Sequence, residues 1–315
     1  MGFLDRTKRL VGLLDMRELR VHRPKSLIFL CGGQQNQALE VVPSVREALL
    51  RHIPDRGQVG VSTIILAERA TEALAESNFS NLLDLEEYIA AVVDAVVLIV
   101  ESAGSICELG AFAKTDEIRR KLVIIIANIH NNGRSFITLG ALKYIAESAD
   151  SAEIHPFDWH EHNGGMVVPE YALNGMVTEI NSAIDRVVAR PKFNPGSIGH
   201  RIYLTLALCH ILRGAKLGEL KECLELALPV KVPESELKKY LNILQICGLL
   251  ERVANGAKHI HYVSLVDRLP IVAAFRAGAA AGERNILRWL SEISADIRDE
   301  DPVRLELFRE HNHGG

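Results

Sequence analysis

A chain of 315 residues with a net charge of −4 is long enough for about two domains, and it is too nearly neutral to act as a general nucleic-acid coat. Hydrophobic residues make up 48 % and charged residues 24 %, the balance of a globular protein rather than a disordered one. Apolar runs fall short of the ~18–20 residues of a membrane span, charges at Asp5, Arg6, Lys8 and Arg9 interrupt any signal peptide, and five cysteines without a C-x-x-C pair argue against a disulfide framework, so a cytoplasmic protein with no membrane partner is expected.

Residues 2–20 carry Phe3, Leu4, Val11 and Leu14 at helical spacing among Arg and Lys, which predicts a short amphipathic helix packed on a domain or on a partner. From there strands and helices alternate. Strands are predicted at 26–31, ending in Gly32-Gly33, and at 59–66, 95–100, 122–127 and 152–157. Helices are predicted at 42–52, 81–93, 105–120, near 139–148 and at 167–190. This order implies an α/β domain over 26–190, with a parallel sheet of flavodoxin or Rossmann type covered on both faces. Ligands in such sheets bind at the carboxyl ends of the strands. Two segments stand there: Cys31-Gly32-Gly33 and Glu101-Ser102-Ala103-Gly104-Ser105.

Residues 191–199 hold two prolines and two glycines and read as a linker. Three helices follow, at 202–212, 217–226 and 234–246, and then two strands around Ala254-Asn-Gly-Ala257. Three helices and an Asn-Gly hairpin are the order of a winged helix-turn-helix domain, here 200–268, with a helical, polar-ended tail over 269–315.

The segment from Glu101 to Phe112 runs from a buried strand through a Gly turn into a helix. Ser105 and Glu108 have S-x-x-E spacing, which on spacing alone is a capping box. Position adds a second reading. A glutamate at a helix start, at the ligand-binding edge of the sheet, is favoured in its ionised form by the helix dipole. Such a carboxylate can stabilise an oxocarbenium-like sugar or attack its anomeric carbon.

Gly32-Gly33 together with Glu108-Leu-Gly-Ala111 resembles the nucleoside 2-deoxyribosyltransferases, in which the glutamate of the E-L-G segment is the nucleophile. A closer resemblance is to the deoxyribosyltransferase-like effectors of retron anti-phage systems. It rests on Phe29-Leu-Cys-Gly-Gly33, Glu101-Ser-x-Gly-Ser105, Glu108-Leu-Gly-Ala-Phe112, Arg119-Arg-Lys-Leu122 and Arg134-Ser-Phe-Ile137, and covers roughly 26–148 by motif. It implies a toxin that consumes NAD as substrate, needs no cofactor, and is held in check by a reverse transcriptase and its RNA–DNA hybrid, the msDNA. It also implies an oligomer or a larger assembly. The transferases usually carry an aspartate a few residues before the nucleophile. Here those positions hold Ser102 and Ser105, with Glu101 the acid. Nicotinamide leaves NAD as a neutral base and needs no proton, whereas a purine usually does, so the departure suits NAD better than base exchange.

Glu108 is therefore the expected catalytic residue. Gly32 and Gly33 offer backbone amides to a phosphate or ribose, or else form a tight strand exit. Ser102 and Ser105 of the turn are candidates for the ribose hydroxyls, with Ser105 equally a plain cap, and Gly104 between them is a further substrate-binding candidate. Asp84 falls where the transferases often contact the base, and otherwise complements its helix dipole. Arg134 meets a diphosphate or is merely solvated. The histidines at 155, 160 and 162 have no metal-site spacing, and no metal is expected.

From 196 to 266 nine Lys and Arg face six acids, a local excess of positive charge on an acidic chain. Lys238 and Lys239 on the third helix and Lys258 in the wing are the expected nucleic-acid contacts, to backbone rather than bases. Two other readings stay open: a nucleoside or deoxynucleotide N-glycosidase or deoxyribosyltransferase, and a nucleotide-sensing DNA-binding regulator.

Overall fold

The computed structural model describes residues 1–131, 134–148, 152–187, 190–255 and 259–312. The chain divides into two units: Ser26–Ala75 with Asn81–Val187, and Met1–Lys25 with Glu76–Ser80 and Val188–Gly315. It opens with helix α1 (Phe3–Leu13) and a two-residue strand β1 (Arg20–Val21), both in the second unit.

The α/β unit begins at β2 (Leu27–Cys31), followed by α2 (Val45–His52), β3 (Gln58–Val59), β4 (Ser62–Leu66) and α3 (Ala67–Leu74). Next come α4 (Leu82–Val92), β5 (Ala95–Val100), α5 (Ala103–Lys114), α6 (Asp116–Arg119), β6 (Leu122–Ala127) and α7 (Asn128–Asn131). A π-helical stretch (Ile137–Leu142) runs into α8 (Lys143–Ala146), and β7 (Glu153–Phe157), β8 (His160–His162), β9 (Gly165–Val167) and α9 (Glu170–Asp185) complete the unit. Every residue of β2, β5 and β6 is buried, as befits strands covered on both faces.

The six-stranded sheet has the order β3-β4-β2-β5-β6-β7. All its pairings are parallel except β3 against β4. Gly60, at φ 58°, turns the chain between those two, so the expected single strand over 59–66 is a tight hairpin. The expected closing helix starts later than 167, because β8 and β9 form their own hairpin first. Along β2, β5 and β6, the alternate residues Ile28, Leu30, Val97, Ile99, Val123 and Ile125 pack in one cluster with Val45 and Leu49 of α2 and Met176 and Ile180 of α9.

In the second unit α10 (Ile198–Ile211), α11 (Leu217–Ala227) and α12 (Glu234–Ile246) precede the antiparallel pair β10 (Leu250–Asn255) and β11 (His259–Ser264). Then follow β12 (Ile271–Val272), a 3-10 turn (Ala281–Glu283), α13 (Ile286–Glu300) and α14 (Pro302–Asn312). The amphipathic α1 packs on α11 and α13. Arg6 bonds Glu292 at 2.6 Å, and Lys8 pairs with Glu222. Buried Arg304 holds Glu219 with both Nη atoms, at 2.8 and 2.9 Å, which fixes α14 on α11. Among the described residues, no helix is long and apolar enough to cross a membrane.

Candidate active site

Counted in chain order, the parallel strands lie 2-1-3-4-5 across the sheet. Connections leave in opposite directions from β2 and β5, and the crevice above the carboxyl ends of such a pair is where open α/β sheets take ligands. At its floor, the Glu101 carboxylate accepts the amides of Gly33 at 2.9 Å, Arg46 at 3.0 Å and Val45 at 2.5 Å. Val45 and Arg46 open α2, whose cap is the Ser44 hydroxyl, so Glu101 sits on the positive end of that helix. Burial raises the Glu101 pKa, and the three amides pull it back down.

A Cβ on Gly33 would lie 2.8 Å from the Ser44 Cβ and 2.9 Å from the Glu101 carboxyl carbon, and one on Gly32 would meet Arg46, Glu101 and Ile99 at 3.2 Å. The glycine pair therefore serves a tight strand exit. The Gly33 amide is taken by Glu101 instead of being offered to a phosphate.

The next turn corrects the expected cap. Ser102, not Ser105, is the N-cap of α5: its hydroxyl accepts the Ser105 amide at 3.2 Å. Ser105 completes the box from inside. Its buried hydroxyl accepts the amides of Glu101 at 3.0 Å and Ser102 at 2.9 Å, and donates to the Ser102 carbonyl at 3.0 Å. Ser105 holds the turn and has no capacity left for a ribose. Gly104 is exposed, with Ser102 Oγ 3.8 Å from its Cβ position.

Glu108 is released from capping by this arrangement. It lies in the second turn of α5, where the helix dipole has largely faded. Its Oε2 is buried without a hydrogen-bond partner in the described structure. Burial raises its pKa, Arg46 lowers it and Glu68 raises it again. The expected net push toward the ionised form is not present: burial outweighs Arg46 and holds the Glu108 pKa above its ordinary value, and what favours the anion is Arg46, not the helix start.

Arg46 is 1 % exposed. One Nη donates to the Leu30 carbonyl at 3.4 Å, the other pairs with Glu68, and Nε is buried without a partner among the described residues. Glu86 of α4 completes the cluster at 2 % exposure. Burial, then the charge of Glu108, pushes its pKa up to about 8, so it keeps its proton at neutral pH. The same surroundings push the buried Cys31 thiol well up, which leaves it unreactive. Four carboxyl groups, Glu68, Glu86, Glu101 and Glu108, gather around Arg46 in this crevice, and Glu86 among them holds a proton at neutral pH.

Arg46 and Glu86 were not singled out from the sequence, and Glu101 stood there as the acid of its turn without a role of its own. A signal for Glu86 exists: it shares a helical face with the buried Ala90 and Val93. A glutamate on an apolar stripe is either paired or functional.

Of the other expected residues, Asp84 exchanges hydrogen bonds with Asn81 at the start of α4, both at 2.9 Å, so Glu86, not Asp84, enters the cluster. Arg134 is exposed, and the charges acting on Glu108 come from Arg46 and Glu68. A cavity of about 300 Å³ is lined by residues including Glu101, Ile106, His130, Trp159 and Met166, and Glu108 is not among its lining residues. Glu153, His155 and Glu179 bring donor atoms within 4.8 Å of one another, with Arg186 paired to Glu153. In the second unit Lys238 pairs with Glu234 at 2.7 Å and Lys239 lies 5.1 Å from the Phe79 ring centre. Lys258 lies outside the described residues.

Residues 43–252 match the protein family described as STM3845 retron effector protein. The chain is 27 % identical over 258 residues to the Escherichia coli "Retron Ec73 putative ribosyltransferase/DNA-binding protein", covering 76 % of this chain and 77 % of that one. It is 31 % identical over 142 residues to the Escherichia coli "Retron Ec86 putative ribosyltransferase/DNA-binding protein", covering 45 % of this chain and 44 % of that one.

Proposed function

The chain belongs to this retron effector family, and on that premise we propose that it is a defence toxin that cleaves the nicotinamide N-glycosidic bond of NAD with Glu108. The observation that carries the reading is the Glu108 carboxylate: partly buried at the switch point of the sheet, with an oxygen left without a partner, beside a buried arginine. A carboxylate committed to structure is expected to use its oxygens, as Glu101 does with three amides. One that does not is available to a developing sugar cation.

In this account Glu108, ionised with help from Arg46, stabilises positive charge at C1′ or attacks that carbon. The C1′–N bond breaks and its electron pair neutralises the pyridinium nitrogen, so nicotinamide departs without a proton. Water then adds at C1′, displacing the Glu108 carboxylate where that bond has formed and giving up one proton to solvent, and the product is ADP-ribose. Restraint by the retron reverse transcriptase and its msDNA, a nucleic-acid-binding role for a winged helix built from α10 to β11, and assembly into an oligomer belong to the same proposal.

A second reading has one observation in its favour. Glu86 holds a proton beside Glu108, and a purine leaving group needs one. The deoxyribosyltransferase class is therefore chemically open here, although the expected aspartate before Glu108 is missing. Incubation with NAD and, separately, with purine deoxynucleosides decides between them. Nicotinamide release with intact nucleosides supports the NAD reading; free purine with intact NAD moves the chain to the transferase class. Binding without turnover of either, with the retron partners present, leaves the sensing regulator.

A further inference from the structure

Strand β1 and the segment read as a linker pair in one small sheet. Val21 donates to the Pro191 carbonyl at 2.9 Å and Phe193 to the Leu19 carbonyl at 2.8 Å. Arg20 bridges Lys192 on one side and pairs with Val272 of β12 on the other. Side chains alternate across such a sheet. Leu19, Val21, Phe193 and Ile271 are buried. Arg20 and Lys192, on the opposite face, are exposed, as are Arg190 and Arg268. By the same period of two, Arg190 falls beside His22. His22 donates its amide to the Pro270 carbonyl at 2.8 Å, two residues from Arg268, and burial, then the charges of Arg190 and Arg268, hold the His22 pKa below its ordinary value. Arg20 also donates to the Arg190 carbonyl at 3.0 Å.

Three distant stretches of sequence thus deliver Arg20, His22, Arg190, Lys192 and Arg268 to one exposed face. Lys192 pairs with Glu18 at 3.1 Å. Arg190 and Arg268 have no carboxylate partner among the described residues. Neighbouring strands set such cations ~4.8 Å apart and positions i and i+2 ~7 Å apart. The result is a flat grid of guanidinium forks and an ammonium group.

We propose that this face binds the phosphodiester backbone of nucleic acid. Guanidinium forks take phosphate oxygens in pairs. A duplex presents about one negative charge per 1.7 Å of axis, the continuous line of charge that a flat cationic grid matches. An acidic peptide would need a groove or apolar anchors to set its register. The contact reads charge and not base edges, and it is separate from α12, where Lys238 is already paired. The inference rests on the reading that the chain binds nucleic acid and assigns the surface.

The test is binding of the full-length chain to a labelled DNA duplex of about 30 base pairs and arbitrary sequence across a salt series, where each phosphate contact contributes about 0.9 to the slope of log K against log salt. A variant with Arg20→Gln, Arg190→Gln, Lys192→Gln and Arg268→Gln is expected to bind at least about tenfold more weakly, with a slope shallower by roughly 1 per lost contact. The double variant Arg190→Gln/Arg268→Gln gives the same reading in miniature if the fourfold one loses its thermal transition. Wild-type affinity and slope in both variants overturn the assignment of the face while DNA binding stands. No binding by the wild-type chain overturns the nucleic-acid reading itself. Equal affinity and slope for polyglutamate overturn the proposal in favour of an acidic protein partner.

Discussion

The Glu101 carboxylate accepts the Gly33 amide at 2.9 Å and so joins the carboxyl ends of two neighbouring strands across the crevice where substrate is proposed to bind. The same carboxylate caps α2 through Val45 and Arg46 and thereby sets the position of the Arg46 side chain. Charge-assisted hydrogen bonds of this kind contribute about 1.5–3 kcal/mol each when a partner is lost. Glu101→Ala is expected to lower unfolding free energy by about 3 kcal/mol or more in urea denaturation. Gly33→Ala is expected to destabilise as well, because its Cβ would meet Ser44 at 2.8 Å. Stabilities equal to wild type would show that the clamp does not operate.

Glu86 makes a prediction about pH. An unfolded glutamate loses its proton near 4.5, whereas the folded chain keeps this one to about 8. Between those values the native state binds the extra proton, so the contribution of Glu86 to stability is highest below about 4.5 and falls as pH rises toward 8. The slope approaches about 1.4 kcal/mol per pH unit. Glu86→Gln cannot ionise and should remove that part of the pH dependence. Urea denaturation at both ends of the range checks it: the variant should match wild type at the acid end and exceed it at the alkaline end. Parallel pH dependences in the two proteins would contradict a buried, protonated Glu86.

The same substitution separates the two chemical readings. Nicotinamide needs no proton to leave, so Glu86→Gln should preserve most NAD cleavage. A purine leaving group does need one, and loss of a positioned general acid costs about 10²–10⁴-fold. Comparing the variant on NAD and on a purine deoxynucleoside measures this directly. An equal, large loss on both would give Glu86 a role other than proton donation.

Glu68 competes with Glu108 for Arg46. Its charge raises the Glu108 pKa while Arg46 lowers it. Because Glu108 works as the anion, activity should fall as pH drops through its pKa. Glu68→Gln should move that acid limb to lower pH. A shift to higher pH, or none, would place Glu68 outside the electrostatics of the site.

Much of this was legible from the residues. The runs Ala95–Val100 and Leu122–Ala127 are wholly apolar and admit little but buried strands, and both boundaries match the structure. Glu234–Ile246 was equally clear from its periodicity. Tertiary choices were harder. Ser102 and Ser105 both precede a suitable N3 position, and the strand end decides in favour of Ser102. Helix α3 escapes a reading from sequence because it is only eight residues long and its apolar side is mostly alanine, with Ala70 its buried residue. Arg46 carries no local signal: its burial comes from Glu68 and the Leu30 carbonyl, which are far from it in sequence. The pairing of 191–193 with the N-terminal segment was hidden by prolines that read as a linker.

The central claim is that Glu108 breaks the nicotinamide bond. Its most direct test is nicotinamide release from NAD by the wild-type chain and by Glu108→Gln, followed by chromatography, with thermal unfolding recorded for both. The substitution keeps the shape of the side chain and removes the buried charge, so the variant should melt at or above the wild-type temperature. The account predicts nicotinamide release by wild type and its loss, by about 10³-fold or more, in the variant. Nicotinamide released by Glu108→Gln at the wild-type rate would contradict it.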